Sequence, residues 1–451
     1  MQEHRENKMG VMPVKRLIIS MSLPMMVSML VQALYNVVDS MFVAQLSEDA
    51  LTAVTLAFPM QNLLISFAAG TGVGINALLS KSLGEKRFDR ADDAANNGLF
   101  LAILTYILFL LIGLFGAGPF IGTQIQDALV REYGTVYLQI CLCLSFGAIF
   151  QVTFERLLQS TGRTVYSMIS QATGAVINII FDPILIFGLF GAPKMGVAGA
   201  AAATVMGQII AAFIGCYLNL KKNEDVHLSV PQILHPSAEV IRKIYFVAVP
   251  SILMMSIGSI MTYAMNQILG AFSKTATAVF GVYFKLQSFF FMPVFGLNNG
   301  LIPVLAYNYG ARRRDRIREA LRFSMTLAVV IMLCGTLVFH LVPEALLGMF
   351  NASEEMLRIG VPALRIISLS FGLAGACIAM GSIFQAFSYS YYSLIVSVGR
   401  QLVVLIPVAM FLASFGEVTL IWWAFPIAEL VSTILSAFFF LRLYNRTVKT
   451  L

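Results

Sequence analysis

The sequence predicts an all-α membrane protein, with twelve transmembrane helices in two homologous six-helix bundles around a central cavity. Three observations carry that expectation. Of 451 residues, 58% are apolar and only 12% charged, a balance that suits no soluble class. Apolar stretches of about 20 residues or more recur from end to end, the length a helix needs to cross a hydrocarbon core about 30 Å thick. The second half of the chain also repeats the first at a constant spacing of 226 residues.

Apolar runs read against turn and charge signals place the elements in order. The first span, 17–44, is too long for a secretory leader and holds Gln32, Asn36 and Asp39, so it stays attached as the first helix. The second, 51–79, carries Gly70, Gly72 and Gly74 mid-span. With no strand before this G-x-G-x-G run and no Lys after it, close helix packing is expected there and not a nucleotide loop. The third is 94–116, and the fourth, 134–158, has Glu155 near its cytoplasmic end. The fifth, 164–189, contains Asn178, Asp182 and Pro183, and the sixth, 196–219, contains Thr204. A polar cytoplasmic linker at 221–240, with His227, Pro231, His235 and Pro236, divides an N-terminal lobe, 1–220, from a C-terminal lobe, 241–451. The remaining spans are 241–269, 277–305 with Lys285, 318–341 ending near His340, 358–387, 392–413 with Arg400, and 418–441 with Glu429. His340 has no second ligand at metal spacing and is read as structural.

The repeat pairs Pro24 with Pro250, Ser47 with Ser273, Gln61 with Gln287, Gly70 with Gly296 and Gly74 with Gly300, then Arg90 with Arg316, Gln159 with Gln385 and Tyr166 with Tyr392. An even number of spans separates the copies, so they share one membrane orientation, as lobes enclosing a transport cavity do. Lysine and arginine fix which way round. Lys15 and Arg16, Lys81 to Arg90, Lys221 to Lys243, Arg312 to Arg322 and Arg442 to Lys449 alternate with gaps offering little beyond Arg131, Lys194, Lys274 and Arg358. Positive segments stay in the cytoplasm, so both termini are expected there.

The net charge of +7 lies in these short gaps and not along one helical face, which argues against nucleic acid. The five cysteines match no disulfide or metal spacing and read as inert packing. Twenty-three methionines and thirty-five phenylalanines suit both lipid contact and an adaptable apolar cavity, and no individual one is singled out. Two glycosylation sequons, at Asn351 and Asn445, are too short a pattern to assign. No nucleophile elbow, H-E-x-x-H or paired acidic metal motif is present, so an enzyme is not expected, nor a cofactor.

Charges placed in hydrocarbon are costly and mark function by default. Asp39 lies about five residues before the outer end of the first span and Asp182 about seven before that of the fifth; at about 1.5 Å per residue both sit in the outer half. Asn178 is one turn below Asp182, and Thr204 returns to a similar depth on the inward-running sixth span. Four oxygen-bearing side chains thus converge. Hard oxygen ligands suit Na⁺, and two neighbouring carboxylates in low dielectric suit a shared proton, so H⁺ or Na⁺ is the expected coupling ion. Hydrogen-bonded cross-linking of helices is the plainer use of such groups. Asn36, Tyr137, Glu155, Lys285, Arg400 and Glu429 are secondary candidates; Glu429 is expected either to pair with Lys285 or Arg400 or to face the cavity.

The run Leu23-Pro24 through Tyr35-Asn36-Val37-Val38-Asp39 and Phe42-Val43-Ala44 resembles the first helix of the multidrug and toxic compound extrusion (MATE) family. Leu158-Gln159-Ser160-Thr161-Gly162, Asn178-Ile179-Ile180-Phe181-Asp182-Pro183 and Gly196-Val197-Ala198-Gly199-Ala200-Ala201 with Thr204 resemble its later signatures, and the likeness covers nearly the whole chain. It implies a monomeric exporter in the inner (plasma) membrane of a prokaryotic cell. Its cargo would be small organic cations or amphipathic drugs, exchanged for H⁺ or Na⁺. In the branch with an N-lobe ion site, the coupling residues match Asp39, Asn178, Asp182 and Thr204. Where another branch places acids in the seventh and tenth helices, this chain has Gly258 and Ala374, so no C-lobe ion site is expected. The wider superfamily includes flippases for lipid-linked sugars, whose basic cavities fit the buried N-lobe acids less well. Ion binding at Asp39 and Asp182 is expected to bend the first or fifth span and expel the substrate outward.

Overall fold

The computed structural model describes residues 6–350 and 352–451; Arg5 and Asn351 lie outside them, as do the side chains of Glu48 and Lys274. Twelve helical spans follow one another: α1 (Val14–Leu46), α2 (Glu48–Gly84), α3 (Phe88–Gly122), α4 (Ala128–Cys143 with Phe146–Ser160), α5 (Thr164–Phe187) and α6 (Val197–Lys222). The second series is α7 (Ala238–Gly270), α8 (Lys274–Gly310), α9 (Arg314–Leu341), α10 (Glu354–Ser368 with Phe371–Ala386), α11 (Ser390–Ala413) and α12 (Val418–Val448). Each is long and apolar enough to cross a membrane, α4 and α10 as pairs bent by 44° and 47°. Helices outrun the apolar cores that revealed them. At 37 residues α2 and α8 measure about 55 Å, because backbone hydrogen bonding continues into polar flanks where hydropathy falls.

The repeat is visible in backbone detail. Ser47 caps α2 by accepting from the Ala50 N–H at 3.0 Å, and Ser273 caps α8 by accepting from Ala276 at 3.1 Å. The turn after α2 places Lys86 at φ +58°, and the turn after α8 places Arg312 at φ +55°. The turn after α4 has Gly162 at φ +87°, and the one after α10 has Ser388 at φ +65°.

Two compact units form, one built on Val27–Ile252 and the other on Lys8–Met26 with Leu253–Leu451. Compactness therefore changes inside α1 and α7, two residues after Pro24 and Pro250, and not within 221–240. Glycine explains the packing. In the first unit a Cβ on Gly70 would fall 2.5 Å from Ile252 Cγ1, and one on Gly74 only 2.4 Å from the Ile244 carbonyl oxygen, so α7 lies directly on the α2 backbone. In the second unit Gly296 and Gly300 of α8 admit Met26 and Ser22 of α1 at 2.6 Å in the same way.

Each unit also fastens the segment preceding its borrowed helix. In the first, Asn96 of α3 donates to the His227 carbonyl at 3.0 Å and to Gln232 at 2.8 Å, while Asn97 accepts from the Ser237 N–H at 2.8 Å. In the second, Arg316 donates to the Met9 and Met12 carbonyls at 3.0 and 2.8 Å, and Asn308 donates to Met9 at 3.1 Å.

Candidate functional site

Four polar side chains of the first unit meet between α1, α5 and α6. Asp182 is fully buried, and Asn178 and Thr204 are nearly so. The stagger of about four residues between Asn178 and Asp182 puts both on one face of α5. Small residues Gly199 and Gly207 bring α6 against that face; a Cβ on Gly207 would meet the Gly174 carbonyl at 2.5 Å. With its amide nitrogen toward Asp182, Asn178 donates to Oδ2 at 3.2 Å and accepts from the Thr204 N–H at 3.0 Å and hydroxyl at 3.1 Å. The opposite orientation keeps only a 3.1 Å bond to that hydroxyl. Network satisfaction favours the first, which makes Asn178 the link between Thr204 and the acid.

Asp39, half-buried on α1, brings its carboxyl within hydrogen-bonding reach of Asp182. Among the described residues, Oδ1 of each acid is buried without a hydrogen-bond partner. Two carboxyl groups this close, each with an unused oxygen, are costly in low dielectric unless a proton or a cation lies among them. The two unsatisfied atoms are both carboxylate oxygens, the type that suits Na⁺, and two neighbouring carboxyl groups equally suit a shared proton.

Further polar groups reach the pair. Tyr35, one turn before Asp39, lies beside Gln32, which accepts from Gln171 of α5 at 3.2 Å. Tyr137 and Cys141 of α4 lie near Asp39, and Gln61 of α2 donates to them at 3.4 and 3.3 Å. Sequence reasoning had named Tyr137 but not Tyr35, Gln61 or Cys141. Cys141, expected to be inert packing, is part of this polar wall because Gln61 turns its amide inward. The signal in the sequence was the i, i+4 spacing of Tyr35 to Asp39 and of Tyr137 to Cys141.

The other candidates lie elsewhere. Asn36 is exposed and contributes its carbonyl to Ser40 at 2.9 Å. Glu155 is buried in a separate cluster, accepting from Gln151 at 3.0 Å beside Arg156, which donates to Gln159 at 2.9 Å. Of the two partners expected for Glu429, Arg400 takes the position at 3.4 Å, while Lys285 is exposed. His340 bridges the Thr336 carbonyl at 2.9 Å and Ser368 at 3.3 Å, a structural arrangement. Among the described residues no three His, Cys, Asp or Glu side chains form a metal cluster.

Comparison with known proteins identifies the family. A family model described as MatE matches residues 24–184 and 250–411, well over half of the chain. The chain is 25% identical over 427 residues to the multidrug export protein MepA of Staphylococcus haemolyticus (strain JCSC1435), covering 94% of this chain and 93% of that protein. It is also 25% identical over 431 residues to the FAD transporter of Shewanella oneidensis, covering 93% and 92%. Its fold matches that of a multidrug resistance MATE family transporter of the MOP superfamily in an outward-facing conformation, with a TM-score of 0.93, 24% identity and full coverage of both chains. The chain belongs to the MatE family of membrane-spanning transporters, with twelve helices in two homologous six-helix bundles.

Proposed function

We propose that the chain is a secondary active antiporter of the cell membrane that exports cationic or amphipathic drugs and other toxic compounds in exchange for H⁺ or Na⁺. The observation that carries this reading is the Asp39–Asp182 pair, two carboxyl groups within hydrogen-bonding reach, each with a buried oxygen that no protein group satisfies. In this reading Asp39 and Asp182 hold the ion, Asn178 orients Asp182, and Thr204 fixes Asn178. A filled site draws α1 toward α5, and an emptied one leaves two charges that repel, so occupancy biases the position of the outer half of α1. Pro183, next to Asp182, removes one backbone hydrogen bond and softens α5 at the same level. The relative named as a multidrug exporter supports a drug substrate. The distribution of lysine and arginine supports termini on the cytoplasmic side.

A second reading, a flippase or exporter of another amphipathic molecule, is favoured by the FAD transporter matched at equal identity. One experiment separates the two. Proteoliposomes loaded with a fluorescent organic cation receive a Na⁺ or a pH gradient, with wild type and Asp39→Asn compared. Gradient-driven movement lost in the variant supports the antiporter and names the ion. No movement of the cation under either gradient sinks the first reading in favour of the second.

A further inference from the structure

The second half of the chain lacks the first half's acid pair. Asp39 corresponds to Met265 at the 226-residue spacing, and the residues opposite Asp182 and Thr204 are Val408 or Ala409 and Leu430 or Val431. It has instead a charged pair where the first half is apolar. Arg400 of α11 corresponds to Gly174, and Glu429 of α12 to Ala202 or Ala203. In the first unit Gly174 is a contact between α5 and α6 so tight that a Cβ would lie 2.9 Å from the Gly207 carbonyl oxygen. In the second unit Arg400 stands at the position of Gly174 and is paired with Glu429 of the neighbouring helix.

The backbone has changed with it. Gly399–Leu405, the segment that contains Arg400, is a π-helix inside α11. A π-turn is one extra residue in an α-helix, and such insertions gather at functional sites. Pro407 just beyond has no N–H to return to Val403, which helps to release the α-helical pattern.

The pair itself is incompletely satisfied. Arg400 Nη1 reaches Glu429 Oε2 at 3.4 Å, a long bond that engages one of five N–H donors, and 29% of the Arg400 side chain is open. Glu429 is 8% exposed, and its Oε1 is buried without a partner. The groups facing it from other helices have other commitments. Tyr283 of α8 donates to Gln287 at 2.8 Å, and Cys377 of α10 is engaged with Thr433 at 3.2 Å. Within α12 the Thr433 hydroxyl also donates to the Glu429 backbone carbonyl at 2.8 Å, and among the described residues no charged group besides Arg400 is paired with the carboxylate.

We propose that Arg400 is an anion-binding site of the second unit, taking a carboxylate, phosphate or sulfonate group of an amphipathic solute while Glu429 takes up a proton. Charge balances. Before binding, guanidinium and carboxylate neutralise each other; afterwards guanidinium and bound anion do, and Glu429 is neutral. Arg400 offers a planar fork matched to oxyanions on its open side. The buried Oε1 is closed to a hydrated ion but accepts a proton, which removes the competing negative charge. The site lies about two helical turns, roughly 12 Å along the helix, from the level corresponding to Asp182. It does not depend on the antiport reading.

The test uses two dyes of one ring system whose charges do not change between pH 6 and 8, anionic sulforhodamine B and cationic rhodamine 6G. Binding of each to the full chain in phosphatidylcholine nanodiscs is followed by fluorescence anisotropy, with empty nanodiscs subtracted. Wild type should bind the anion more tightly as pH falls, approaching about tenfold per pH unit for one linked proton. Glu429→Gln should bind it with no pH slope. Arg400→Gln should weaken it at least about tenfold with rhodamine 6G binding unchanged, the size expected for one lost charge-assisted contact. Because that variant strands a buried carboxylate, the double variant Arg400→Gln/Glu429→Gln, which strands none, must lose anion binding equally. Repetition with phosphatidylglycerol in the nanodisc separates sources: displacement of the dye assigns the site to a lipid headgroup, and unchanged binding assigns it to a solute. Anion binding in the double variant equal to wild type, or a pH slope retained in Glu429→Gln, overturns the proposal.

Discussion

Replacing Asp182 by asparagine tests the proposed ion site at its most buried point. The side chain is fully enclosed, its Oδ2 accepts from Asn178 and its Oδ1 has no partner. Asparagine keeps the shape and an oxygen that can still accept from Asn178, so the helix packing is preserved while one negative charge disappears. A unit charge about 4 Å from a monovalent ion, at an effective dielectric constant of about 20, interacts by about 4 kcal/mol. At tenfold per 1.4 kcal/mol this corresponds to several hundredfold in ion affinity, less whatever the retained amide oxygen returns, so about 10²-fold is expected. The assay is the concentration of driving ion that half-saturates efflux in proteoliposomes, read for wild type and Asp182→Asn. Thermal unfolding in detergent runs beside it, where the variant should be at least as stable because it no longer buries a charge without full compensation. A stable variant whose half-saturating concentration moves less than about tenfold would refute the assignment of Asp182 as an ion ligand.

Thr204→Val should impair driven efflux by freeing Asn178 from its hydroxyl partner, whereas Thr204→Ser retains the hydroxyl and should transport like wild type; equal loss in both would place the effect in packing. Gly74→Ala puts a methyl 2.4 Å from the fixed Ile244 carbonyl and should lower the unfolding midpoint through about 1–3 kcal/mol of overpacking. Gly72→Ala instead meets the flexible stem of Arg156 at 2.5 Å and should cost less, a ranking read from paired melting curves. Ser388 holds φ +65° where the first half has Gly162, so Ser388→Gly should stabilise by about 1 kcal/mol and Gly162→Ser should destabilise; a lower midpoint for Ser388→Gly contradicts the strain argument.

Much of the molecule follows from one-dimensional information. The number and order of spans, the close packing at Gly70 and Gly74 and its repetition at Gly296 and Gly300 were legible because length, periodic small residues and a constant repeat spacing are properties of the chain itself. The grouping of Asp39, Asn178, Asp182 and Thr204 was legible for the same reason. A span has a fixed rise per residue, so sequence position gives depth, and few polar residues share that depth.

What the sequence left open depends on rotation about helix axes and on which helix lies beside which. Depth alone allowed Glu429 to meet Lys285 or Arg400, and only the packing of α12 beside the π-helical turn of α11 chose Arg400. Gln61 and Cys141 join the acid pair because α2 and α4 turn those faces toward it, which hydropathy does not report. The linker at 221–240 was the natural place to divide the chain, yet the N-terminal parts of α1 and α7 pack with the opposite repeat. The sequence determined the order and duplication of the helices and the position of their apolar cores, since each is set by local composition. The tertiary structure decided the partners, since contacts between distant segments are selected by close packing on glycine and by the cost of leaving buried polar groups unmet.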